Sequence, residues 1–266
     1  MRWRLGLAVW AGCAWTMAAA APACPQPLRI GFNDSATPPG LMGQGTRFAD
    51  PPGWEVDAVR DALKRLGCKG DLVRLPGRRL SASLTQGGLD FALLYGVTPE
   101  RLRVLRFPLD MQGRPDLAWA PVFGNLALFA RAGTTPDAGW TGQRLSPRWR
   151  VGVVVGSVQE AIARDRGWRV EPVQAMEAGV AMLKVDRFDL LLTTREALTP
   201  EERAGLVEWS PVVARLPYFM PASPAFEQRH PGWTRAFWNE FCQAVRRLEP
   251  DVRPAECGIV PPATLR

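Results

Sequence analysis

The sequence predicts an α/β protein of two lobes, each a mainly parallel sheet flanked by helices, with two strands crossing between the lobes. Three observations lead to this prediction. Strand-like and helix-like segments alternate, the alternation stops in an irregular middle region and restarts, and a further extended segment precedes a last amphipathic helix. Such alternation is typical of parallel sheets covered by helices. The 266 residues, 47% hydrophobic and 22% charged, suffice for two modest soluble domains.

Residues 1–23 have the pattern of a secretory signal peptide. A basic start over residues 1–4 precedes an apolar run over residues 5–20 and small residues up to Ala23. This pattern predicts cleavage after Ala23, with Cys24 as the first mature residue. A membrane anchor is the alternative, but the apolar run is short for a bilayer span.

The first half of the mature chain predicts alternating elements. These are a strand at 28–32, a helix at 55–66, a strand at 72–75, a short helix at 79–86 and a strand at 89–95. Val56, Val59 and Leu63 repeat at helical spacing, and the glycine after Leu66 ends that helix. The last strand is a continuous apolar run, which suggests burial on both faces.

The alternation stops at 107–125, where proline, glycine and aspartate are frequent and no period is visible. A strand at 125–131 and a second irregular region at 132–148 follow. The theme then restarts with a strand at 151–155, a helix at 157–165, a strand at 169–173, a helix at 176–185 and a strand at 188–193. An extended segment at 212–220 and a helix marked by Trp233, Phe237 and Phe241 complete the pattern.

This order predicts one lobe at both ends of the chain and the other inserted between. We expect lobe one at 24–125 plus 221–266 and lobe two at 126–220. The crossing strands are expected near 126–131 and 215–220.

Four cysteines remain after the signal peptide, and an even number in an exported chain favours disulfides. Three pairings are formally possible. Cys24 and Cys68 each precede a predicted strand, while Cys242 and Cys257 lie on the last helix and the tail after it. We therefore expect the pairs 24–68 and 242–257. The spacings do not suit zinc, and His230 is the single histidine of the chain.

The charge is mildly basic and dispersed. The formal net charge is +7, and it falls to +5 without the two arginines of residues 1–23. No stripe of clustered Lys and Arg is present, so we expect a solvated surface and no nucleic-acid partner. The sequence implies no cofactor.

Four stretches in order resemble one known family. They are 53–63 (GWEVDAVRDAL), 88–91 continuing into 98–101 (GLDF, TPER), 151–157 (VGVVVGS) and 186–191 (DRFDLL). The resemblance spans about residues 28–248 and is to the bacterial extracellular solute-binding protein family 3, the polar amino-acid type of periplasmic binding protein with the type II fold. It implies a monomeric periplasmic clamp that closes on a small solute and hands it to an ABC permease.

Arg101 is the first candidate for solute binding. It follows a strand end and a turn, and a guanidinium there can hold a carboxylate with two hydrogen bonds. In the family, the matching arginine binds the α-carboxylate of the ligand. Thr98 offers a hydroxyl, although a threonine before proline is expected first as a helix cap. Gly156 and Ser157 lie at a helix start, where backbone N–H groups either hold an anion or form only a capped turn.

Further candidates lie at the carboxyl ends of the predicted strands, where open α/β sheets bind ligands. Phe32 ends the first predicted strand and Asp34 lies just after it, Tyr95 ends the third, and Arg78 or Arg79 offers a second anion contact. Trp54, like Trp119, is a candidate aromatic wall, although core packing is the default for any one of the 11 tryptophans.

Thr194 marks a departure from the family pattern. Family members carry an acid for the ligand's ammonium shortly after the strand that here ends in Thr193-Thr194-Arg195. An ammonium would lack its charge-assisted partner here. We therefore expect a polar or anionic solute rather than a standard α-amino acid.

Three other roles remain open on the same fold. A sensory or accessory module would use the same binding chemistry without transport, and a degenerate structural partner would need no solute. A periplasmic lyase would need positioned acid–base groups. The sequence has neither Gly-x-Ser-x-Gly nor His-Glu-x-x-His, and we expect no catalytic residues.

Overall fold

The computed structural model describes residues 23–252 and 257–258. The signal-peptide prediction therefore lies outside the described residues, except for Ala23. No helix in the described part of the chain is both long enough and apolar enough to cross a membrane.

The strands and helices follow the predicted alternation. In order, the strands are β1 (Arg29–Asn33), β2 (Gly43–Gln44), β3 (Arg47–Phe48), β4 (Asp71–Leu75), β5 (Phe91–Ala92), β6 (Tyr95–Gly96), β7 (Val122–Arg131), β8 (Arg150–Val154), β9 (Arg169–Val173), β10 (Leu190–Thr194), β11 (Leu206–Glu208) and β12 (Ala214–Phe219). The helices are α1 (Trp54–Arg65), α2 (Gly77–Thr85), α3 (Pro99–Val104), α4 (Val158–Asp165), α5 (Met176–Lys184), α6 (Pro200–Arg203), α7 (Pro224–Arg229) and α8 (Pro231–Leu248).

Lobe one is built on a parallel sheet in the order β4-β1-β5. α1 and α8 pack on each other and share its core with β1. Val56, Val59 and Leu63 of α1 are buried, as are Phe237 and Phe241 of α8, because their spacing places them on one face of each helix.

Lobe two is built around β10, β8 and β9, which are parallel, with β7 antiparallel on the other side of β10. β10 is buried along its whole length, and α4 and α5 pack on this sheet. Gly152 of β8 has no room for a side chain, since a Cβ atom there would lie 2.3 Å from the ring of Phe188.

β7 and β12 are the crossing strands, and they pair antiparallel from Ala214 opposite Leu126 to Tyr218 opposite Val122. Their bounds agree with the crossing strands expected near 126–131 and 215–220, except that β7 begins four residues earlier. The α/β two-lobed architecture is confirmed.

The single strand predicted at 89–95 is wrong. β5 pairs with β1 in the sheet of lobe one, whereas β6 pairs with β12 in the larger sheet. The chain changes sheets at Leu94, which has a φ of 49°. Both pieces are buried, so the apolar run is continuous and hides the break.

The lobe boundaries remain a proposal that the core packing supports. One buried cluster draws on residues 24–94 and 220–252, and two others draw on residues 126–216. The sequence did not predict the β2–β3 hairpin, β11, α6 or α7, which are all shorter than seven residues.

Both predicted disulfides are present, Cys24–Cys68 and Cys242–Cys257. The first joins the segment before β1 to the segment before β4, which the parallel pairing of those strands brings together. The second ties the tail to α8.

Candidate ligand-binding site

Arg101 bridges the two lobes. Its Nη1 donates to the carbonyl oxygen of Gly96 at 2.7 Å, and its Nη2 donates to that of Gly156, in lobe two, at 2.9 Å. The guanidinium lies 4.7 Å from the ring centre of Tyr95, a cation–π distance. α3 positions this side chain, and Thr98 caps α3 by accepting from the N–H of Arg101 at 3.2 Å. The cap that the sequence favoured for Thr98 is therefore present.

Two tyrosines flank this arginine. Tyr218 of β12 stands opposite Gly96 of β6, and the hydroxyl of Tyr95 shares a 3.0 Å hydrogen bond with Ser81. Burial raises the pKa of Tyr95. Burial, with a further contribution from the negative charge of Glu196, raises the pKa of Tyr218 to about 12. Both phenols are therefore neutral and can donate or accept hydrogen bonds.

Arg101 has no acidic partner among the described residues. Burial lowers the pKa of Arg101, and the phenols of Tyr95 and Tyr218 oppose this effect. The guanidinium contacts two carbonyl oxygens and a neutral ring, although a guanidinium pairs best with a carboxylate. The site is therefore suited to an added anion.

The lobes touch directly beside Arg101. A Cβ atom at Gly96 would lie 2.6 Å from Cγ1 of Val158, so this contact requires a glycine. A second contact joins Nη2 of Arg78, in lobe one, to Oε1 of Gln174, in lobe two, at 3.2 Å. The structure thus has the two lobes closed on each other along this edge.

The start of α4 is already satisfied by the chain's own groups. Oγ of Ser157 accepts from the N–H of Glu160 at 3.1 Å, and Oε2 of Glu160 accepts from the N–H of Gly156 at 2.7 Å. Arg164 holds the other carboxylate oxygen of Glu160 at 2.8 Å. Gly156 and Ser157 therefore form the capped turn, which is one of the two interpretations of the sequence. The N–H of Gly156, which a bound anion was expected to use, donates to the Glu160 carboxylate.

Thr194 ends β10 and is buried next to the crossing strands. A Cβ atom at Gly124 would lie 3.0 Å from the methyl group of Thr194 and 2.9 Å from the ring of Tyr218, so these three residues are packed together. Glu196 lies on the 3₁₀ turn Arg195–Ala197 that follows β10. Glu196 therefore lies two positions after Thr194, the position at which the family pattern has its acid.

The other predicted site residues do not join Arg101. Phe32 is fully buried edge-to-face on Phe48, in the core of lobe one, so its assignment to the cleft is corrected. Trp54 begins α1 and packs against the same core. Asp34 offers its carbonyl oxygen to buried Arg74 at 2.8 Å, and Arg79 is exposed on α2.

A cavity of about 400 Å³ lies between the lobes, and we call it the interlobe cavity. It is lined by Pro38 and Pro39 from the loop after β1 and by Arg195, Glu196, Leu198, Pro200 and Arg203 from the segment after β10. Its volume is in the range of small-molecule sites. A smaller cavity of about 210 Å³, lined by Arg29, Asp90 and His230 among others, lies at the opposite edge of the lobe-one sheet, away from Arg101.

The described residues contain no group of three or more His, Cys, Asp or Glu side chains that could hold a metal ion.

Sequence reasoning missed Tyr218, Val158, Glu160 and Glu196. Glu160 had a signal, because Ser157-Val158-Gln159-Glu160 has the capping-box pattern of a serine followed three residues later by glutamate. The other three had none, since their roles depend on contacts between segments that are distant in sequence.

Solved structures identify the fold. A histidine kinase sensor domain with similarity to periplasmic binding proteins superposes with a TM-score of 0.63 at 14% identity, covering 85% of this chain and 91% of that one. An ancestral amino acid-binding protein, a precursor of cyclohexadienyl dehydratase, gives 0.63 at 16% identity, covering 85% and 94%. A Wolinella succinogenes protein assigned as the binding component of an ABC transporter, complexed with lysine, gives 0.62 at 14% identity, covering 83% and 94%.

No protein-family model and no curated protein matches the chain. At these identities the likeness shows the fold alone. The chain therefore has the two-lobed fold of the periplasmic binding proteins.

Proposed function

We propose that this protein is a divergent periplasmic solute-binding protein of family 3, which captures a small polar or anionic solute between its lobes and delivers it to an ABC permease. The observation that carries the proposal is Arg101, a partly buried guanidinium that reaches across the lobes and has no carboxylate partner in the described part of the chain.

A solute carboxylate would bind the N–H donors of Arg101 that its hydrogen bonds to Gly96 and Gly156 leave unused, because a guanidinium has five such donors. Hydrogen bonds between two charged groups are roughly twice as strong as neutral ones, and partial burial reduces screening by water. Because Gly96 and Gly156 belong to different lobes, an anion on Arg101 would favour the closed arrangement. The position of Thr194, where a family member has an acid, supports a solute without an α-ammonium group.

The test is isothermal titration calorimetry of the purified protein against organic acids, inorganic anions, sugars and amino acids. We expect a carboxylate to bind, Arg101→Ala to abolish binding and Arg101→Lys to weaken it, because lysine lacks the planar fork of donors. Arg103→Ala is the matched control, since Arg103 is exposed on the same helix α3, and should bind like wild type. Tight binding of a common amino acid, or binding unchanged in Arg101→Ala, would contradict the proposal.

Transport, sensing and catalysis are separated by a second experiment. Once a solute is found, its uptake is measured in cells with and without this protein, and its integrity is followed by mass spectrometry on incubation. Loss of uptake supports delivery to a permease. Unchanged uptake with a lost transcriptional response supports a sensory module, and conversion of the solute supports a lyase.

A further inference from the structure

The cavity of about 210 Å³ lies where the strands of the lobe-one sheet begin, and we call it the amino-edge cavity. Arg29 begins β1 and Asp90 precedes β5. Arg229 and His230 line the same cavity from the junction of α7 and α8. Its volume lies below the range of about 300–1,000 Å³ of drug-sized sites, so it suits a small ion or solute.

Two guanidinium groups with unused donors line the amino-edge cavity. Nη1 of Arg29 donates to the carbonyl oxygen of Gly88 at 2.9 Å, and Nε of Arg229 donates to that of Ala225 at 3.0 Å. Within the described part of the chain, each of these side chains has this single hydrogen bond and no ion pair. Because a guanidinium has five N–H donors, most of the donors on each arginine remain for a ligand.

Asp90 is the single acid among the lining residues that the structure describes, and it is 8% exposed. Its Oδ2 accepts from the backbone N–H of Arg29 at 2.7 Å. Burial raises the pKa of Asp90, against the opposing effects of that N–H and of the charges of Arg229 and His230. Among the described residues none of these cations forms an ion pair with the carboxylate. The acid and the cations therefore act on one another across space that a ligand can occupy.

The charges of this lining favour an oxyanion that carries a proton. Two permanently charged arginines outnumber one acid, which favours an anion. Arg29 and Arg229 lie on different elements, so their donors reach the cavity from two sides, which suits a tetrahedral anion better than a planar carboxylate. An ionised carboxylate only accepts hydrogen bonds. Asp90 would therefore accept from the hydroxyl of hydrogen phosphate and repel sulfate, which has no hydroxyl at neutral pH.

We infer that the amino-edge cavity is a second binding site, which takes hydrogen phosphate with Arg29 and Arg229 donating to its oxygens and Asp90 accepting from its hydroxyl. The site goes beyond the proposed function. Arg101 is absent from the described lining, so neither site needs the other.

The experiment is an NMR titration of the untagged protein. His230 is the single histidine of the chain, so the resonances of its ring report on this cavity alone. Phosphate, sulfate and chloride are added separately at neutral pH and constant ionic strength. We expect a saturable shift with phosphate, an affinity for sulfate lower by about tenfold or more, and no shift with chloride, because an unpaired carboxylate beside sulfate is unfavourable.

Arg229→Ala should weaken phosphate binding by about tenfold or more, because it removes charge-assisted hydrogen bonds. Arg229 is exposed, so this variant leaves the core intact. Arg235→Ala is the matched control, since Arg235 is exposed on α8 and outside the described lining, and it should bind like wild type.

Asp90→Asn should reduce the preference for phosphate over sulfate to about twofold or less, because an amide donates as well as accepts. The oxygen of the amide can still accept from the N–H of Arg29, which preserves the start of the sheet. Glu177→Gln, which removes an exposed acid on α5, should leave the preference unchanged.

The outcomes separate this site from the one at Arg101. In Arg101→Ala the response of His230 to phosphate should remain, whatever becomes of carboxylate binding. A shift that does not saturate, or that is equal in Arg229→Ala, would indicate an adventitious ion only and overturn the inference. Equal affinities for sulfate and phosphate in the wild type would overturn the assignment of hydrogen phosphate. Neither result bears on the proposed function.

Discussion

Gly96 lies under the side chain of Val158 where the two lobes meet. Gly96→Ala would place a methyl group 2.6 Å from Cγ1 of Val158, and a β-branched side chain has few rotamers in which to move away. Overpacking of this kind costs about 1–3 kcal/mol, and separating the lobes relieves it. We expect a larger radius of gyration by small-angle X-ray scattering and weaker solute binding.

The control for this prediction is the double variant Gly96→Ala with Val158→Ala, which removes the colliding methyl groups. It should restore the wild-type radius of gyration. A radius unchanged in Gly96→Ala alone would show that the contact does not hold the lobes together.

Glu55 is a buried acid at the start of α1, and burial raises its pKa to about 8, against a smaller opposing effect of the positive charge of Arg74. In the unfolded chain this carboxyl has an ordinary pKa of 4.5. Between pH 4.5 and 8 the folded state therefore binds one more proton than the unfolded state. The stability that this proton contributes is fully present below pH 4.5 and is lost as the pH rises to about 8.

Glu55→Gln removes this dependence. We expect the free energy of unfolding of the wild type to fall relative to that of the variant by up to about 1.4 kcal/mol per pH unit between pH 5 and 8. Urea unfolding at several pH values measures it, with Glu177→Gln as an exposed control. Parallel pH profiles for wild type and Glu55→Gln would show that this carboxyl is ionised in the folded protein.

At the scale of elements, the start of α4 depends on its cap. Ser157→Ala removes the acceptor for the N–H of Glu160, and losing such a cap costs about 1 kcal/mol. Urea unfolding should show this loss, whereas Ser146→Ala, in the loop before β8, should show none. An unchanged midpoint in Ser157→Ala would mean that the Glu160 carboxylate alone holds the turn.

At the scale of the whole molecule, both disulfides lie in lobe one, so the two lobes differ in how they are stabilised. The pairs Cys24–Cys68 and Cys242–Cys257 close loops of 44 and 15 residues. Chain-entropy arguments assign them about 4 and about 3 kcal/mol. Reduction should therefore lower the melting temperature measured by circular dichroism, and the Cys→Ser double variant of either pair should reproduce part of the change. A melting temperature insensitive to reductant would contradict it.

The fold class, the longer helices and most strands were predictable from the sequence because they depend on local patterns. α1 and α8 carry apolar residues at helical spacing, and the crossing strands lie within four residues of their expected positions. The prediction of a single strand at 89–95 is wrong for a physical reason. A hydrophobic run indicates that a segment is buried, but it does not indicate which strand the segment pairs with. Here β5 and β6 belong to different sheets.

The features of the candidate site also divide into those that local motifs predict and those that only the tertiary structure decides. The sequence by itself determined the cap at Thr98 and both disulfides, because these follow from short motifs and from the order of strands. The role of Arg101 in binding stays a prediction. Only the tertiary structure decided that Phe32 is core and that the charges of Arg101 and Glu196 both act on Tyr218. Tyr218 is 117 positions from Arg101 and 22 from Glu196 in the sequence. Contacts between such distant segments are set by how the sheets pair, which no local pattern records.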